Sequence, residues 1–214
     1  MTGRDATASQ ARTLVDEWAR GGVREAVLAP GSRSAPLALA LAAEDRIRLT
    51  VLLDERSASF FALGTAKASG RPAVLLCTSG TAAANFHPAV LEAWHSRTPL
   101  IVCTADRPPE LRDTGAGQAV DQIKLYGGAV RWFAEVGVPE DVEGAGRYWR
   151  SVAARSCAEA LGPPSGPVHL NLAYREPLIP TGAPLVEVEG RPGARPWTST
   201  SFRPRPPHPD DVAE

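Results

Sequence analysis

Apolar and polar positions along this chain change period in a regular rhythm. Over residues 9–20, Ala11, Leu14, Val15, Trp18 and Ala19 recur at three- and four-residue spacing, which predicts one face of a helix. Thr7 or Ser9 is its expected cap and Gly21-Gly22 its stop. A short apolar run at 26–29 reads as a buried strand that breaks at Pro30-Gly31-Ser32-Arg33-Ser34. Residues 35–44 then read as a helix with Pro36 in its first turn. A second strand, 48–53, runs directly into a helix that starts at Glu55 and closes near Ser69-Gly70.

The alternation continues with a strand at 73–77, a turn at Thr78-Ser79-Gly80-Thr81, and a helix from Ala82 interrupted near His87-Pro88. A strand at 100–105 ends in Asp106-Arg107-Pro108-Pro109 and leads into a polar, glycine-bearing loop over 113–122. A weaker strand at 132–136, a long helix from about 141 to 161 and a strand at 168–172 complete the pattern. Such repetition predicts an α/β fold, a mostly parallel sheet with helices on both faces. After Arg175 the texture changes, because nine of the 20 prolines lie from Pro177 onward. The tail Pro204-Arg205-Pro206-Pro207-His208-Pro209 suits neither helix nor central strand. The expected organisation is therefore a domain over 1–178 and a Pro-rich linker over 179–214, extended, poorly packed and leading toward further domains.

Composition narrows the function classes. With 214 residues, 43% hydrophobic and 22% charged, the chain can bury a core of ordinary size. A formal net charge of −1 gives no overall pull toward nucleic acid or a membrane surface. Only Lys67 and Lys124 are lysines among 23 basic residues, so a single arginine carries little weight by itself. Cys77, Cys103 and Cys157 lie mostly in apolar runs without metal or redox spacing, which implies buried thiols in a reducing compartment. No signal pattern or membrane-length apolar run occurs, and a cytoplasmic location is expected.

In a parallel sheet all strands end on one edge, where ligands gather. Four such ends carry polar chemistry here: Ser32-Arg33-Ser34, Asp54-Glu55, Thr78-Ser79-Gly80-Thr81 and Asp106-Arg107. A glutamate between apolar residues at this edge can be partly dehydrated, hold a raised pKa and exchange a proton with a ring nitrogen. Arginine forks suit the carboxylates of a small anionic substrate. Each piece also has a structural explanation. Asp54 and Glu55 can cap a helix, as can Ser32, Ser34 and Ser79; Gly31 and Gly80 can serve turn geometry. His169, within a strand, reads as a core residue, and His87 and His95 as packing or surface residues. Gly115-Ala116-Gly117-Gln118 does not match a dinucleotide fingerprint, and no phosphate-binding P-loop occurs. The residues alone leave the reaction open.

The succession of these loops is specific. Residues 29–37, 54–58, 78–85 and 105–111 closely resemble the 2-succinyl-5-enolpyruvyl-6-hydroxy-3-cyclohexene-1-carboxylate synthase family, thiamine-diphosphate enzymes of menaquinone biosynthesis. The resemblance runs from about residue 9 to 178. It implies the N-terminal, pyrimidine-binding domain of such an enzyme, with Glu55 as the catalytic group that hydrogen-bonds the cofactor's aminopyrimidine ring. Asp54 stands where many wider relatives carry histidine, which argues against a pyruvate-decarboxylase-like role. By the same resemblance Thr78, Ser79 and Gly80 lie against thiamine diphosphate, and Ser32, Arg33, Arg107 and Gln118 line the substrate pocket. The implied reaction decarboxylates 2-oxoglutarate and adds the resulting carbanion to isochorismate. Diphosphate and Mg2+ would be held by a C-terminal domain absent from this chain, in a homodimer or dimer of dimers formed through the missing domains. The chain alone is accordingly expected to bind cofactor poorly and not to turn over. An acetolactate-synthase-like carboligase, or an α/β binding module without catalysis, are the competing readings.

Overall fold

A computed structural model of the chain describes residues 4–186 and 189–201, so the 204–209 tail lies outside the described residues. Six strands, β1 (Glu25–Leu28), β2 (Arg48–Val51), β3 (Ala73–Cys77), β4 (Leu100–Asp106), β5 (Phe133–Glu135) and β6 (Pro167–Ala173), form one sheet. Their order is β2-β1-β3-β4-β6-β5, and every pairing is parallel. Helices α1 (Ala6–Arg20), α2 (Ala35–Ala42) and α6 (Ala145–Leu161) cover one face. The other face carries α3 (Glu55–Ser69), α4 (Thr81–Asn85) and α5 (His87–His95). The α/β architecture expected from the alternating pattern is the one found.

Side-chain alternation divides the core in two. Val74, Leu76, Ile101 and Cys103 pack with Leu14, Trp18, Leu41 and Trp149, whereas Leu75, Cys77, Leu100 and Val102 pack with Ala62, Phe86 and Val90. Because both faces are covered, β3 and the first four residues of β4 are wholly apolar. All three cysteines are buried and free. Among the described residues no helix is long and apolar enough to cross a membrane.

Several boundaries differ from the expected ones, each for a local reason. The cap of α1 is Asp5, whose Oδ1 accepts from Ala8 N–H at 2.9 Å, while Ser9 lies inside the helix and donates back to Asp5 O. Helix α6 starts at Ala145 because Gly144 takes a left-handed φ of 83° that interrupts the run from 141. The break near His87-Pro88 falls at Phe86, with Pro88 in the first turn of α5, where its missing N–H costs nothing. Strand β2 stops at Val51, although Leu52 N–H still donates to Leu28 O at 3.0 Å.

The described residues after β6 are tied to α1 and its cap. Asp5 N–H donates to Pro184 O at 2.9 Å, Thr181 N–H to Asp5 Oδ2 at 2.9 Å, and Val186 N–H to Ser9 Oγ at 2.8 Å. Further on, Arg20 Nη1 donates to Arg191 O at 2.9 Å and Trp197 N–H to the Glu17 carboxylate. Backbone outside the sheet must still satisfy its polar groups, and here α1 and its capping residue Asp5 supply partners.

Candidate functional site

The order of the sheet reverses between β1 and β3, since the chain leaves β1 for α2 on one face and β3 for α4 on the other. Binding crevices of open α/β sheets form at such a point. Here the two turns stand in contact. A Cβ on Gly31 would lie 2.4 Å from Thr78 Cβ, closer than any real pair. Gly31 is itself extended, so it is glycine because of that approach and not because of its backbone angle. Gly80 adopts φ 82°, and a Cβ there would sit 3.1 Å from Gln118 O. The 113–122 loop thus folds back to lay the Gln118 backbone on the Gly80 turn, with the Gln118 side chain exposed.

None of the three candidate serines caps a helix through its side chain. Ser34 Oγ donates to Gly31 O at 2.8 Å, Ser32 is exposed, and the buried Ser79 hydroxyl accepts from Arg107 Nη1. Arg33 is buried, with Nη1 donating to Tyr174 O at 3.0 Å and lying 3.3 Å from the Glu176 carboxylate. Its Nε has no partner among the described residues. Burial holds the Arg107 guanidinium below its ordinary pKa and the nearby charge of Arg33 lowers it further, only partly offset by Asp106 and Glu176. Two like charges have therefore been brought together at a partly dry edge, an arrangement that an incoming carboxylate relieves.

The two acids divide their roles. Asp54 is the cap of α3, its Oδ1 accepting from Ser57 N–H at 2.7 Å; hydrogen bonding from Ser57 holds its carboxyl below the ordinary value. Glu55 follows as the first helical residue, half-buried, and no hydrogen bond to its carboxylate is found among the described residues. Its charge reaches the end of β3: burial raises the Cys77 thiol well above its usual pKa, and Glu55 raises it further. The apolar shelter expected on its strand side is missing, because β2 is an edge strand, and Val51 at its end and Leu53 beyond it are exposed at 53% and 85%.

Behind the rim Gln122, Asn171, Glu135 and Arg112, which sequence reasoning did not single out, join Gly80 and Asp106 in a polar network. Gly80 N–H donates to Gln122 Oε1 at 2.9 Å, and Gln122 Nε2 donates to Asn171 Oδ1 at 2.9 Å and Ala105 O at 3.2 Å. Asn171 Nδ2 donates to Asp106 Oδ2 at 2.8 Å and Glu135 Oε2 at 2.6 Å. Arg112 Nη2 bridges the same two acids at 2.8 and 2.7 Å. Burial opposes the charge of Arg112, but Glu135 and Asp106 outweigh it and hold the guanidinium above its ordinary value. His169 is a core residue, as expected, and burial pushes its pKa down to about 3; its Nε2 pairs with Thr104 Oγ1 at 2.8 Å.

The structure thus brings together Gly31 with Thr78, Ser79 with Arg107, Gly80 with Gln118, and Arg33 with Arg107 in charge, while Ser32 stays exposed beside them. Among the described residues no group of three or more His, Cys, Asp or Glu is placed to hold a metal. A cavity of about 580 Å³, lined in part by Arg4, Arg147, Glu189 and Trp197, includes none of the rim residues.

Known proteins share this arrangement of sequence. A family model described as "Thiamine pyrophosphate enzyme, N-terminal TPP binding domain" matches residues 9–125. The chain is 64% identical over 187 residues to a 2-succinyl-5-enolpyruvyl-6-hydroxy-3-cyclohexene-1-carboxylate synthase of Thermobifida fusca, covering 87% of this chain and 32% of that protein. It is 57% identical over 176 residues to a protein of the same name from Geobacillus kaustophilus, covering 82% and 30%. A third, from Haloarcula marismortui, is 53% identical over 192 residues, covering 90% and 32%. The chain therefore spans about a third of the length of these relatives.

Proposed function

This chain belongs to the thiamine pyrophosphate enzyme family as an N-terminal TPP-binding domain, and from that premise we propose that it is the N-terminal part of a 2-succinyl-5-enolpyruvyl-6-hydroxy-3-cyclohexene-1-carboxylate synthase. The whole enzyme is a thiamine-diphosphate-dependent transferase of menaquinone biosynthesis that decarboxylates 2-oxoglutarate and joins the product to isochorismate. The observation that carries this reading is the rim itself: a half-buried Glu55, without a hydrogen-bond partner among the described residues, at the same edge as two guanidiniums that repel.

These residues fit the pyrimidine end of the cofactor. Glu55, left free because Asp54 does the capping, would hold the proton shared with the aminopyrimidine ring. Thr78, Ser79 and Gly80 form the buried turn that would lie beside it. When bound, the cofactor supplies the electron sink for decarboxylation. Arg33 and Arg107, with Ser32 and Gln118, would receive and orient the substrate carboxylates at the charge-strained edge. Magnesium and the diphosphate would be held by a further domain of an enzyme that is a homodimer or dimer of dimers, so the chain alone binds cofactor weakly and is inactive. Three buried, free thiols are in keeping with a cytoplasmic location.

The decisive substitution is Glu55→Gln in the full-length enzyme. It removes the exchangeable proton while keeping size, and turnover is expected to fall by at least about 10²-fold. An unchanged rate would reduce the domain to a binding module.

A further inference from the structure

We propose that Gln122 and Asn171 are positioning residues that set the Ser79-Gly80 turn and the Arg107 guanidinium against each other through a closed ring of hydrogen bonds. The inference rests on the reading above of Ser79, Gly80 and Arg107 as part of a ligand-binding rim. The ring runs from Gly80 N–H to Gln122 Oε1, from Gln122 Nε2 to Asn171 Oδ1, and from Asn171 Nδ2 to Asp106 Oδ2, at 2.9, 2.9 and 2.8 Å. Asp106 Oδ1 then accepts from Arg107 N–H at 2.7 Å, and Arg107 Nη1 donates to Ser79 Oγ, which adjoins Gly80. Gln122, Asn171, Asp106 and Ser79 are all buried, so water cannot substitute for a missing link.

The sense of every amide in the ring is forced. Two carboxylate acceptors, Asp106 and Glu135, face one end of Asn171, which must be its NH₂. Its Oδ1 therefore faces Gln122, which must present Nε2 there, leaving Oε1 for the Gly80 N–H. Thr104 Oγ1 also donates to Asn171 Oδ1 at 2.8 Å, so the Thr104 oxygen accepts from His169 Nε2–H. A chain of unidirectional bonds of this kind admits one arrangement of the turn, whereas a single bond would leave it free to tilt. Neither amide reaches the rim surface. Their effect on a ligand would pass entirely through Arg107 and the turn.

The test uses the full-length enzyme in three forms: Gln122→Met, Gln122→Glu and, as a control, Trp18→Phe. The control removes another buried bond, Trp18 Nε1 to Ser156 Oγ at 3.0 Å, on the opposite face of the sheet. Gln122→Met breaks the ring at both ends at similar volume. Gln122→Glu keeps the acceptor for Gly80 and loses the donor to Asn171, and it serves should the first variant not fold. The KM for 2-oxoglutarate is expected to rise roughly tenfold in the Gln122 variants, with a smaller change in kcat, while Trp18→Phe lowers the melting midpoint and leaves KM alone. A KM within about twofold of the parent in every Gln122 variant that folds, with a midpoint lowered as in the control, would overturn the positioning role. Glu55→Gln, assayed alongside, separates the two failures: if it keeps full turnover, the thiamine reading itself falls and this inference with it. If it abolishes turnover while the Gln122 variants keep their KM, only the positioning role is lost.

Discussion

Two arginine–carboxylate clusters flank the sheet, built from the same side chains and put to opposite uses. Around α1, Asp16 accepts from Arg20, Arg46 and Arg150 at 2.8, 2.6 and 2.8 Å, Glu44 takes Arg46 at 2.6 Å, and Glu17 takes Arg150 at 2.9 Å. Three acids meet three guanidiniums, and although burial opposes its charge, Asp16 is held down to about 2 by those arginines. At the carboxyl edge three acids again meet three guanidiniums, but they are paired differently. Arg33 and Arg107 repel, Asp106 is occupied by Arg112, Asn171 and the Arg107 backbone, and Glu176, the acid that faces Arg33, is 67% exposed on its side chain. A saturated cluster ties helices together, whereas one in which two guanidiniums repel and the acid facing Arg33 is exposed can take an anion. Counting charges around each arginine separates scaffold from site, which counting arginines along the chain cannot do.

The comparison breaks most visibly at Arg150. Replacing it by Met leaves the fully buried Glu17 without its cation, and a stability loss of about 3–5 kcal/mol by denaturant titration is expected. Acid should separate the clusters by pH. His169 has its folded pKa depressed to about 3 from 6.5, so the unfolded state binds a proton that the folded state refuses. Stability should therefore fall as pH drops below 6.5, by at most about 1.4 kcal/mol per pH unit, and His169→Asn should flatten that slope. The Asp16 contribution, from a carboxyl depressed from 3.8 to about 2, is full above 3.8 and lost only as pH falls toward 2. Melting curves between pH 7 and pH 2 would show whether the two losses come in that order. Gly31→Ala is a smaller perturbation and strikes the rim alone: its Cβ would press on Thr78, costing about 1–3 kcal/mol and spreading the turns, which denaturant titration would register.

Much of the molecule was legible in its sequence because it follows local rules. The wholly apolar Val74-Leu75-Leu76-Cys77 could only be a strand covered on both faces, and the polar residues that end each strand marked the rim. What escaped depends on partners far away in the chain. Gln122 closes a loop without periodicity, and Asn171 looks like one polar residue in an apolar strand. Their bonds span 42 and 49 residues, to Gly80 and to each other, which no local pattern reveals. The exposure of Leu53 was equally hidden, since strand order, not composition, places β2 at the edge. The cap at Asp5 was missed because Thr7 and Ser9, also good cappers, stand just behind it.

The most direct test of the contrast is Arg107→Met in the full-length enzyme, with melting midpoint and the KM for 2-oxoglutarate measured on one preparation. Relief of the repulsion between the two cations offsets the bond lost from Arg107 Nη1 to the buried Ser79 hydroxyl, so the midpoint should change little while KM rises on the order of tenfold to a hundredfold. A midpoint that falls by several degrees while KM stays at the parent value would make Arg107 another scaffold arginine, and the rim would lose its claim to bind an anion.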